Sequence, residues 1–143
     1  MKNRRVEAER AWFRAFHQLI FGILGVFLVI VIPVTIWTDS LDWGIVYTGL
    51  MLVPINVMYV KRYRMRRTLN PQLSHLYRRQ IGSDCLNTVA FFIAINGEKL
   101  LESNTAYIGG VLIVGVAGWL TMRIEKRMKE EDVWRPTYEQ LRG

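Results

Sequence analysis

Charge is missing from three long stretches of this chain. Leu19 to Thr38, Trp43 to Val60 and Thr105 to Met122 contain no Asp, Glu, Lys or Arg, and each is 18 to 20 residues long. An α-helix needs about 20 apolar residues to cross ~30 Å of hydrocarbon, so all three read as membrane spans. Cysteine is almost absent. Cys85 stands alone, which excludes an intramolecular disulfide and a CxxC redox pair. The only two histidines, His17 and His75, lie far apart in sequence, so neither a histidine-based metal spacing nor a bis-histidine haem is available. No cofactor or metal is expected. Catalytic motifs are missing as well: there is no GxSxG and no HExxH, and no span carries an ionisable residue near its centre. That last absence argues against proton- or cation-coupled transport, which places such a group within the membrane. No cleavable signal sequence is expected, because the first apolar run ends in VTIWTDS without a small-x-small site.

Acidic residues are missing where basic ones are densest. Lys61 to Arg79 holds seven Lys or Arg and no Asp or Glu. The whole chain carries +7 over 143 residues, with 51% hydrophobic residues and a mean hydropathy of +0.14. On a soluble surface such a charge suggests nucleic acid, but here the basic residues flank the apolar runs. Headgroup contact and membrane topology account for them, and no nucleic-acid partner is expected.

The fold expected is an all-α membrane protein with four transmembrane helices arranged as two hairpins in one domain. Residues 1–17 form an interfacial or cytoplasmic segment, 18–60 the first hairpin, 61–84 a basic linker, 85–122 the second hairpin and 123–143 a tail. Residues 1–17 read either as a short interfacial helix or as the end of a long first helix. In the linker, Asn70-Pro71 predicts the start of another short surface helix. Pro33 predicts a bend in span one. Trp37 and Trp43 bracket the acidic turn 39–42, which places that turn at an interface.

The third span is marginal. Cys85 to Leu101 has an uninterrupted apolar core of only Val89 to Ile95. Charge parity argues that it crosses: of the 19 basic residues, a four-span topology puts all but Lys99 on one side. The positive-inside rule makes that side the cytoplasm and both termini cytoplasmic. A plasma membrane, bacterial by plausibility alone, is the expected location.

Three groups of residues are candidates for function. Gly22, Gly25, Ala106, Gly110 and Gly118 are small residues that let helices approach closely. Asn56, Asn87, Thr88 and Asn96 are polar at membrane depth and serve either as interhelical links or as the wall of a path. Arg62, Arg64, Arg66, Arg67, Arg78, Arg79 and Trp134 are candidates for contact with lipid headgroups or a partner. The expected partners are membrane lipids and other membrane subunits, or further copies of the chain. The expected function is non-enzymatic: an accessory, assembly or regulatory subunit of a membrane complex. A small oligomeric transporter or channel, and a sensor or immunity-type protein acting through its tail, are the alternatives. Length and span count agree with the small four-span multidrug transporters, but their coupling carboxylate has no counterpart between Gln18 and Thr38, and the likeness ends at size.

Overall fold

Every regular element in the computed structural model is helical. The structure describes residues 2–40, 42–101, 104–132 and 136–142. Within the helices, the side chains of Lys2, Glu98, Leu100, Leu101, Asn104, Ala106, Tyr107, Tyr138 and Arg142 lie outside that description. In order come α1 (Lys2–Val26), a π-helical stretch (Phe27–Val31), α2 (Ile32–Thr38), α3 (Asp42–Leu69), a 3-10 turn (Pro71–Leu73), α4 (Ser74–Leu101), α5 (Asn104–Glu131) and the short α6 (Tyr138–Arg142).

The first helical unit is longer than a membrane is thick. Asn3–Thr38 runs 36 residues without a break, or about 54 Å at 1.5 Å per residue. No proline precedes Pro33, so nothing stops the helix between the charged N-terminus and the apolar run. The separate interfacial helix over 1–17 is therefore not present, and those residues are the first turns of α1. The irregularity expected at Pro33 sits just before it. Proline has no N–H to offer the carbonyl four residues back, and the turn leading into it widens so that the Ile32 N–H bonds to the Phe27 carbonyl five residues away.

Residues 61–84 differ from expectation too. Lys61 to Leu69 continue α3, and Ser74 begins a helix that runs unbroken to Leu101. The turn is only Asn70 and one 3-10 turn, where the Asn70 carbonyl accepts from the Leu73 N–H at 3.4 Å. The Asn70 side chain forms no cap. The basic linker is thus the protruding end of a helical hairpin, not a separate surface helix. At the other end of α3, Asp39 takes a left-handed φ of 48° and the Ser40 N–H reaches back to the Thr35 carbonyl, which closes α2 and reverses the chain.

Among the described residues three helices are long and apolar enough to cross a membrane: the α1–α2 unit, α3 and α5. At 28 residues α4 matches α3 and α5 in length but not in apolarity. It packs between α3 and α5, while α1 runs along α3. Among the described residues α1 makes no close backbone approach to α4 or α5. The four long helices therefore follow one another as α1, α3, α4, α5 and do not close into a ring at mid-height.

Packing divides the molecule in two. Leu76, Tyr77 and Met128 form a buried cluster at the basic end, with Tyr63, Leu73 and Ile124 against it. Large side chains of the charge-free stretches point outward, as faces meant for hydrocarbon do: Phe21, Val29, Leu112 and Met122 are each more than three-fifths exposed. Between α4 and α5 the contact is made by small residues. Ala90 and Ala117 are fully buried, and a Cβ on Gly110 would lie 3.1 Å from the Ala94 Cα.

Candidate functional site

The buried charges of this protein lie together at the basic end, where all four long helices meet. Two arginine–carboxylate forks form their centre. Arg66 of α3 donates from Nε to Glu9 Oε1 at 2.5 Å and from Nη2 to Oε2 at 3.0 Å, and its third nitrogen donates to Gln80 Oε1 of α4 at 2.5 Å. Arg5, one helical turn before Glu9 on α1, donates through Nη1 to Asp132 Oδ1 at 2.8 Å and through Nη2 to Asp132 Oδ2. Tyr77 of α4 joins the second fork: its hydroxyl accepts from Arg5 at 3.0 Å and donates to Asp132 at 3.2 Å. Planar guanidinium forks against carboxylates are the strongest charge-assisted geometry side chains can form.

Glu9, Arg66, Asp132 and Arg5 are all at most 5% exposed. Burial alone would push the Glu9 carboxyl up, but the hydrogen bonds from Arg66 and the charges of Arg66, Arg62 and Arg5 outweigh it and hold the acid below the usual carboxylate range. Asp132 follows the same logic: burial opposes ionisation, and Arg5 together with the Tyr77 hydroxyl overcomes it. Burial pushes the Tyr77 phenol up to about 12, so this hydroxyl stays protonated. Next to the forks, burial raises the Asp84 carboxyl against the opposing charges of Arg62 and Arg66. Arg62 stands 3.6 Å from Glu9 and stacks 4.3 Å above the ring of Trp12. Trp12 in turn donates to the Met58 carbonyl at 2.8 Å, fixing α1 against α3. The result is a clasp of three guanidiniums and two carboxylates drawn from α1, α3 and the residue just beyond α5, with Tyr77 and Gln80 of α4 hydrogen-bonded to it.

A second set of polar contacts runs through the apolar part. Thr88 donates to Asn56 Oδ1 at 3.2 Å between α4 and α3, and Asn96 donates to Thr48 Oγ1 at 3.2 Å between the same helices. Between α4 and α5, Asn87 donates to Thr121 Oγ1 at 2.6 Å, and Ser83 meets the same oxygen at 2.6 Å. The least apolar of the long helices therefore spends its polar residues on both neighbours. At the far end Lys99, the one basic residue outside the basic end among the described side chains, donates to Asp42 at 2.7 Å.

The sequence candidates separate clearly. Asn56, Asn87, Thr88 and Asn96 each make a hydrogen bond to a neighbouring helix. Gly110 makes the closest helix approach, whereas a Cβ at Gly22, Gly25 or Gly118 would meet nothing within 4 Å. Those three glycines thus do not pack within the chain. The side chain of Ala106 and all of Trp134 lie outside the described residues. Arg64, Arg67, Arg78 and Arg79 are exposed as expected. Arg66 is corrected: it is 3% exposed and committed to Glu9 and Gln80, so it faces neither lipid nor partner. Arg62 is largely committed as well.

Glu9, Arg5, Asp132 and Tyr77 carry the clasp and were not candidates by sequence. One local signal existed: Arg5, Glu9, Trp12 and Phe16 recur every three or four residues and so share one face of α1. The tail is held as well: Arg10 donates to the Gln140 carbonyl at 2.8 Å, and α6 lies against α1. At the end of α5, Glu131 stands 4.0 Å from His75 of α4. Among the described residues no group of three His, Cys, Asp or Glu could hold a metal. No family model, no curated protein and no solved structure matches the chain.

Proposed function

We propose that this is a non-enzymatic, four-span membrane protein of a plasma membrane, bacterial by plausibility, and that it serves as an accessory, assembly or regulatory subunit. Its spans pack against helices of a larger membrane complex or against further copies of itself. α4 supplies the fourth crossing, and both termini lie in the cytoplasm. The Lys99–Asp42 contact supports that topology, because it joins the C-terminal part of α4 to the start of α3 at the end opposite the clasp.

One observation carries the functional reading. The polar residues at membrane depth are hydrogen-bonded across helix pairs, Asn56 to Thr88, Asn87 to Thr121 and Asn96 to Thr48, so they act as structural links in preference to a path lining. The outward faces that remain are apolar, which suits helix partners in a membrane. Extraction of native membranes in mild detergent tests this: a larger assembly containing this chain is the expected result, and a free monomer with no companion overturns it. For topology, a Cys85→Ala background carrying Ser74→Cys or Ser103→Cys is treated with a membrane-impermeant thiol reagent. Ser74→Cys should react only from the cytoplasmic side and Ser103→Cys only from the other.

A small transporter is the second reading, favoured by a cleft of about 570 Å³ between α3 and α4, with Thr48, Asn96 and Lys99 in its wall. Liposome flux abolished by Asn96→Leu supports it, and flux absent from the unmutated protein removes it.

A further inference from the structure

A second cleft, about 540 Å³, opens between α4 and α5 at the basic end. Arg79 of α4 and Arg123 and Arg127 of α5 line one part, and Leu86, Leu120 and Ile124 line the rest. The polarity is graded along the helix axes. Leu86 lies seven residues, about 10 Å, beyond Arg79 toward the apolar zone, and Leu120 precedes Arg123 on the way out of it. All three arginines are exposed, and among the described residues none comes within 4.0 Å of a carboxylate. They differ in this from Arg5 and Arg66 on the other side of the same end, which acids neutralise. Arg123 lies 5.2 Å over the ring of Trp119, which is itself 57% exposed on the outward face. An indole there suits the headgroup level of a bilayer.

We propose that this cleft is a binding site for an anionic phospholipid. The phosphate sits among Arg79, Arg123 and Arg127, whose guanidinium forks match its oxygens, and an acyl chain follows Leu120 and Leu86 into the apolar zone. Charge complementarity selects an anion, and the apolar continuation at its deep end selects a lipid over a free phosphate or an acidic peptide. The site rests on the reading above in one respect, that the hairpin of α4 and α5 lies in the membrane. Gly82 forms part of the wall, and a Cβ there would meet nothing within 4 Å, so the cleft can be filled at that point without disturbing the fold.

The test uses the purified, delipidated full chain and native mass spectrometry, with phosphatidylglycerol, phosphatidylcholine or inorganic phosphate added. Phosphatidylglycerol should be retained over phosphatidylcholine, weakening about fivefold for each arginine removed in the series Arg79→Gln, Arg123→Gln and Arg127→Gln. Gly82→Trp, which changes no charge, should weaken retention as well. Lys61→Gln combined with Lys126→Gln and Lys129→Gln removes the same charge from exposed positions outside the cleft and should leave retention unchanged. Equal weakening by the lysine variant, equal retention of phosphatidylcholine, full competition by inorganic phosphate, or an inert Gly82→Trp overturns the site. Since the readout is on the isolated chain, failure here leaves co-purification of a partner unaffected, and a missing partner leaves lipid retention unaffected.

Discussion

The two ends of the helices solve the problem of holding together by different means. At the basic end α1, α3, α4 and the start of the tail enclose a small core of Leu76, Tyr77 and Met128, roofed by two buried arginine–carboxylate forks. In the apolar zone the contacts are made by small residues, Gly110 against Ala94 with Ala90 and Ala117 buried beside them, and by single hydrogen bonds, and among the described residues the α1 backbone makes no close approach to α4 or α5. The physical reason is the solvent. Apolar side chains gain nothing by leaving hydrocarbon for one another, so only close packing and polar links favour association there. Where the helices emerge into water the hydrophobic effect returns, and a conventional core forms. The basic end therefore carries the buried packing, and on the reading proposed above the outward faces of the spans are left for other helices.

Breaking the clasp should have the largest effect. Arg66→Ala leaves Glu9 buried and charged beside Gln80, and removing one partner of a buried pair costs about 3–5 kcal/mol. Denaturation of the purified protein by graded addition of anionic detergent would measure it. The double variant Glu9→Leu, Arg66→Met should recover most of the loss, because two apolar groups of similar volume leave no orphaned charge. A double variant as unstable as the single one would show that the forks themselves, not the avoidance of a buried charge, hold the end shut.

Acid should open the same region by a smaller amount, since a protonated carboxyl keeps its packing and one hydrogen bond. Glu9 and Asp132 both have folded-state pKa values below their ordinary ones. Their contribution is thus complete above the ordinary carboxylate range and is lost as pH falls through the depressed values. Stability should be flat from neutral pH to about 5 and decline below about 4. In Glu9→Gln with Asp132→Asn that acid limb should flatten, and an unchanged limb would place the titrating groups elsewhere.

These effects sit where the sequence was hardest to read. Three of the spans, the charge asymmetry and the presence of small and polar residues at helix contacts follow from local composition and spacing. The clasp does not, because its partners are 57 and 127 residues apart, and locally only the face it shares with Trp12 and Phe16 sets Glu9 apart from Glu7. Arg66 stands among six other basic residues of its segment, and it meets Glu9 only through the reversal between α2 and α3 and Gln80 only through the turn at Asn70. The short surface helix expected after Asn70 failed for a related reason: a good start signal does not reveal how far the helix continues, and α4 continues for 28 residues.

Within the apolar zone the next effect in size is steric. Gly110→Val must push α5 away from the α4 backbone at Ala94, an overpacking cost of about 1–3 kcal/mol in the same detergent titration. Gly22→Ala and Gly25→Ala meet open space and should be neutral, or stabilising by up to about 1 kcal/mol through helix propensity. If either destabilises an assembly while leaving the isolated chain unchanged, the α1 glycines belong to an interface with another helix, and the contrast between a self-contained end and an outward-facing zone is sharpened.

The smallest effect discriminates most finely between a link and a path. Asn87→Leu and Thr121→Val each remove one side of a 2.6 Å hydrogen bond between α4 and α5. Interhelical hydrogen bonds in membranes average about 0.6 kcal/mol, since the separated helices also find partners. The two substitutions should therefore be non-additive by about that amount. Thr121 has a second contact in Ser83, so Thr121→Val should cost more than Asn87→Leu, and Ser83→Ala should narrow the gap. Additive losses would mean that Asn87 and Thr121 do not depend on each other, as expected if both face water in a shared path. Coupling with unchanged assembly would leave them as internal fastenings, weak singly and sufficient only because the clasp has already brought the helices together.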